Sequence, residues 1–103
     1  MKDCIVLSNG RLTEKQRGAY WNDGYLFPIE VAAASQVKTW RSALEQIERD
    51  WLDNGLPLPL NTYKRVNAQV VMPLACEIGL HSPILDAVEG VLGLDVMLYS
   101  VEF

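Results

Sequence analysis

Apolar residues at Val37, Trp40, Leu44, Ile47 and Trp51 recur at three- and four-residue steps, while Lys38, Arg41, Glu45, Glu48 and Arg49 take the opposite side. That period is the stripe of an amphipathic helix, and it predicts the longest helix of the chain from about Ala33 to Trp51. A second stripe, Ile84, Leu85, Val88, Val91 and Leu92, surrounds Asp86 and Glu89. Here Ser82 is the expected N-cap, Pro83 the first helical residue and Gly93 the stop. Beyond Asp95 the period changes to two: Val96, Leu98 and Ser100 alternate with Met97, Tyr99, Val101 and Phe103. Apolar residues on both faces predict a strand that expects cover on both.

The remaining stretches predict shorter elements. Thr13 with Gln16 has the form of a capping box and opens a helix over about Glu14–Asn22, closed at Asp23-Gly24. Met1–Asn9 is a short strand or an arm, and Tyr25–Val31, interrupted by Pro28, is an edge strand. Two prolines and a glycine between Asp53 and Leu60 make a connector, and Asn67–Glu77 turns helical toward its end, with Pro73 in a first turn and Gly79 as its stop. The expected fold is α+β and mainly helical: about four helices with two or three short strands, in a single domain over residues 1–103.

Composition narrows the class. Half of the 103 residues are apolar and no segment is of low complexity, as in a folded domain. A net charge of −4 without a Lys/Arg cluster argues against a phosphate backbone or an anionic lipid surface as partner. Tyr63-Lys64-Arg65-Val66 is the one basic-aromatic group, better read as a solvated loop than as a nucleic-acid contact. Cys4 and Cys76 form no disulfide framework, and no apolar run approaches the roughly twenty residues of a membrane span, so a cytoplasmic protein with reduced thiols is expected.

Catalytic chemistry finds little to stand on. His81 is the single histidine, and Glu77 and Asp86 are its nearest carboxylates, but Gly79 and Ser82-Pro83 separate them, so a histidine bonding a helix terminus is expected rather than a metal ligand. Cys76 lies in an apolar helical run, where a thiol is buried and inert. No serine sits on a strand-to-helix elbow, and Gly90 and Gly93 follow no strand as a phosphate loop would require. No catalytic, metal-binding or cofactor-binding residue is assigned.

The order of elements carries a resemblance. Leu12-Thr-Glu-Lys-Gln, then Tyr20-Trp-Asn-Asp-Gly-Tyr-Leu-Phe-Pro-Ile29, the Val37–Trp51 helix and His81-Ser-Pro-Ile-Leu-Asp-Ala-Val-Glu-Gly-Val-Leu-Gly-Leu-Asp-Val-Met-Leu-Tyr-Ser100 together resemble the N-terminal portion of the phytanoyl-CoA dioxygenase family. Its members are Fe(II)- and 2-oxoglutarate-dependent oxygenases on a jelly roll. The resemblance implies an incomplete jelly-roll region, with the first helix and Tyr25–Val31 as outer cover and Asp95–Phe103 as an early strand approaching the cavity, lined by Tyr99 or Met97. In that family the metal is held by a His-X-Asp/Glu pair and a distant histidine. His81 is followed by Ser82-Pro83 and there is no second histidine, so iron and oxoglutarate are expected only in full-length relatives.

Three functional expectations follow. The first is a catalytically silent N-terminal fragment or truncated relative of such an oxygenase. The second is a homodimeric assembly module in which the C-terminal strand pairs with its copy along Val96, Leu98, Val101 and Phe103, unless the chain folds back to cover that strand itself. The third is binding of a small molecule in a pocket lined by Trp40, Trp51, Met97 and Tyr99, without catalysis.

Overall fold

The computed structural model describes residues 4–52, 63 and 65–103. Among them four α-helices dominate, α1 Glu14–Asp23, α2 Ala34–Ile47, α3 Pro73–Gly79 and α4 Ser82–Leu92, with two short strands, β1 Ile5–Val6 and β2 Ile29–Glu30. The chain forms two compact units, one of residues 1–33 with 81–97, the other of 34–80 with 98–103. The Asp53–Leu60 connector and Lys64 lie outside the described residues.

In the first unit α1 begins as its sequence prescribes. Thr13 Oγ1 accepts from Gln16 N at 3.2 Å, and Gln16 Oε1 accepts from Thr13 N at 2.8 Å, so two of the helix's orphan donors are met. It ends at Gly24, whose left-handed φ of 84° a Cβ would oppose and whose N–H reaches Tyr20 O at 2.8 Å. The expected Tyr25–Val31 strand shrinks to Ile29–Glu30, paired in parallel with Ile5–Val6. Pro28 has no N–H for a ladder, but its carbonyl accepts from Ile5 N at 2.8 Å, so pairing starts only there.

The last helix starts one residue earlier than Ser82 as N-cap would place it. His81 holds the cap position in extended conformation without a side-chain cap bond, and Ser82 and Pro83 fill the first turn, where a missing proline N–H goes unused. Packing of α4 on the first loop depends on Gly90. A Cβ there would stand 3.0–3.1 Å from the buried Leu12 side chain, so glycine is what lets the two approach.

In the second unit α2 turns its stripe only partly inward. Trp40, Leu44 and Ile47 are half-buried, and Val37 is exposed. The helix expected to reach Trp51 loses its α-helical bonding at Ile47 and continues as a π-helical turn, Glu48–Leu52. The core is Ala68, Met72 and Ala75, with Ile47, Val71 and Val101 packed against it. Ala68 opens a 3₁₀ turn, Ala68–Val70, that precedes α3. Gly79 does not stop α3 by a left-handed turn: it is the last helical residue, and a Cβ there would come within 2.9 Å of Leu98 Cδ2.

The C-terminal strand expected over Asp95–Phe103 is not formed. From Leu98 onward the chain lies as an arm along Arg65–Gln69, with Phe103 N donating to Arg65 O at 3.0 Å and Val101 O accepting from Ala68 N at 2.9 Å. The reason lies in the covering segment. Its 3₁₀ turn spends Val70 N on Asn67 O and Val71 N on Ala68 O, so no regular ladder extends past Ala68.

Candidate functional site

The arm is held by its side chains as much as by its backbone. Val101 N donates to Gln69 Oε1 at 3.0 Å, Asn67 N donates to Ser100 Oγ at 3.2 Å, and the Val101 side chain packs on the Met72 cluster. Alternate residues of an extended chain turn their backbone groups to opposite edges. Val101 and Phe103 bond to Arg65–Gln69, whereas among the described residues the N–H groups of Leu98, Ser100 and Glu102 meet no acceptor. Exposed apolar side chains flank these groups: Leu98 at 41%, Tyr99 at 89% and Phe103 at 37% exposure. Val96 and Met97, the residues before it, belong to the first unit, where Val96 is half-buried and Met97 exposed. Of the residues expected at a dimer edge, Leu98, Val101 and Phe103 lie together on the arm, and Val101 serves as its anchor to the core rather than as free surface.

The residues expected around one pocket are spread out. Trp51 lines a cleft of about 240 Å³ with Ile47, Val71, Met72 and Pro73, all apolar. Trp40 is half-buried in α2, and Tyr99 is exposed on the arm; neither lines that cleft among the described residues. Met97, in the other unit, is exposed.

A cleft that sequence reasoning missed lies in the first unit. Tyr20 from α1, Leu26 and Ile29 from the segment leading into and opening β2, and Ala87, Val88, Val91 and Leu92 from α4 line an open cleft of about 230 Å³.

His81, expected to bond a helix terminus, instead has its Nε2 donating at 2.8 Å to Val31 O, a carbonyl just after β2, and so ties the start of α4 to that segment. Among the described residues no group of three or more His, Cys, Asp and Glu is placed to hold a metal ion. No helix among them is long and apolar enough to cross a membrane. Cys4 is exposed, and Cys76, expected in helix core, is half-buried on α3; both are free thiols.

No family model, curated protein or solved structure matches this chain.

Proposed function

We propose that the chain is a non-catalytic assembly module that joins a second copy of itself through the open edge of Leu98–Glu102. The observation that supports this reading is the partial pairing of the arm: Val101 and Phe103 bonded to Arg65–Gln69, while the N–H groups of Leu98, Ser100 and Glu102 meet no acceptor among the described residues, beside exposed Tyr99. An open edge is a template for another chain, and backbone bonds across it supply affinity without needing a pocket. A two-fold axis through Ser100 sets Leu98 of each copy opposite Glu102 of the other, so the two Glu102 carboxylates do not face one another. Size-exclusion chromatography with light scattering tests it: a dimer for the natural chain, shifting to monomer in Tyr99→Lys. A natural chain that stays monomeric at high micromolar concentration defeats it.

The resemblance to the N-terminal portion of phytanoyl-CoA dioxygenases extends the same reading. On it the chain is a catalytically silent counterpart of that region. Motivating it are the helix pattern and the lone histidine, whose Nε2 is engaged by Val31 O. Succinate release from 2-oxoglutarate by the purified chain with Fe(II) is expected to be nil, and turnover above the metal-only blank contradicts it.

A further inference from the structure

Another cleft of the first unit is lined by charge. Arg11, which precedes α1, Glu14 and Arg17 from α1, and Asp86 and Glu89 from α4 border about 480 Å³, a volume ordinary for a small-molecule site. Two of these charges answer each other, since Arg17 Nη1 stands 3.1 Å from Glu14 Oε1. Among the described residues, the Arg11 guanidinium and the Asp86 and Glu89 carboxylates have no hydrogen-bond or ion-pair partner. One cation and two anions are left over along a single cleft.

The backbone holds these groups in place. Ser8 and Arg11 exchange both backbone bonds at 3.0 Å, which fixes the turn that carries Arg11. Gly10, inside that turn at φ +72°, lies so near α4 that a Cβ there would stand 3.2 Å from Asp86 Oδ2. Asp86 and Glu89 are three residues apart on α4, so they share a face of the helix, and both are half-buried. Glu89 stands in the last turn of α4, where the negative end of the helix dipole adds to its charge. A half-buried carboxylate without a partner has lost part of its hydration with no bond to replace it.

Charge selects the occupant. A phosphate would meet Asp86 and Glu89 as like charges, and among the described residues no three acidic groups are placed for a metal ion. An organic cation suits the two carboxylates, while Arg11 calls for a carboxylate, which its planar fork holds by two parallel bonds. We propose that this cleft binds a free basic amino acid, its two cationic groups at Asp86 and Glu89 and its carboxylate at Arg11. Two positive groups and one negative then meet two negative and one positive. The site belongs wholly to the first unit and does not rest on the assembly reading.

The test titrates L-arginine, L-citrulline and agmatine into the whole chain at matched ionic strength, with NMR detection at the backbone amides of Arg11, Asp86 and Glu89. Saturable shifts with L-arginine are expected. Citrulline keeps the size but not the guanidinium charge, and agmatine lacks the carboxylate; each loses a charge-assisted bond and is expected to bind about tenfold more weakly. Arg11→Gln changes an exposed side chain and leaves the backbone bonds to Ser8, so the fold tolerates it. In that variant L-arginine is expected to fall to the level of agmatine, and in Glu89→Gln its advantage over citrulline shrinks. The proposal is overturned by an absence of saturable shifts at millimolar L-arginine, by either analogue binding as well as L-arginine, or by an unchanged L-arginine affinity in Arg11→Gln.

Discussion

Val101 is where the account of the arm is most exposed to measurement. Its backbone bonds to Gln69 and Ala68 survive truncation of the side chain, so Val101→Ala isolates the packing on Ala68, Met72 and Ala75. The change removes two carbon atoms. At about 0.8 kcal/mol per fully buried methylene, reduced for a half-buried site and increased by the small cavity left behind, the loss is about 1 kcal/mol. Tyr99→Ala removes far more atoms from a side chain that touches little, and its cost to the folded monomer is within about 0.5 kcal/mol. Urea titrations read both. Val101→Ala is expected to lower the midpoint without changing the slope, whereas Tyr99→Ala leaves the midpoint at dilute concentration in place. If the larger truncation costs as much as the smaller, or Val101→Ala costs nothing, the arm is not seated on the Met72 cluster and the one-sided edge loses its basis.

Helix α1 offers two further checks by thermal unfolding. Removing its cap with Thr13→Ala strands the N–H of Gln16 and is expected to cost about 1 kcal/mol. Gly18 and Gly24 receive the same substitution with opposite results: a Cβ at either meets nothing within 4 Å, but Gly24 holds φ at +84°. Gly18→Ala should therefore stabilise by about 0.5–1 kcal/mol through helix propensity, and Gly24→Ala destabilise by about 1 kcal/mol through strain. Equal signs for the pair would contradict the helix boundary.

Local signals were the legible ones. Thr13 and Gln16, Gly24, and the stripe of α4 decide their elements through bonds between near neighbours or through a period of one face, and both are visible in sequence order. The mistakes come from partners distant in the chain. Val96–Phe103 has the alternation of a strand, yet a strand needs a partner with free backbone, and the segment it meets has folded Ala68–Val70 into a 3₁₀ turn. Ser82 is a good cap by type, but His81, drawn to Val31 O, takes the position. Trp51 keeps its place beside Ile47, lining one cleft with it, but the α-helix expected to reach it ends at Ile47 and a π-helical turn carries the chain on. The α1–α4 cleft was invisible for the same reason: Tyr20, Leu26 and Val88 come from separate stretches of the chain, and only tertiary packing brings them together.

The most direct test of the assembly reading is sedimentation velocity of the whole chain from low to high micromolar concentration, beside Tyr99→Lys. A charge at this exposed position leaves the monomer folded and opposes pairing of the edge. The account predicts a concentration-dependent rise to the dimer mass in the natural chain and a monomer throughout in the variant. A natural chain that sediments as a monomer across the range, or a variant that dimerises equally well, contradicts it.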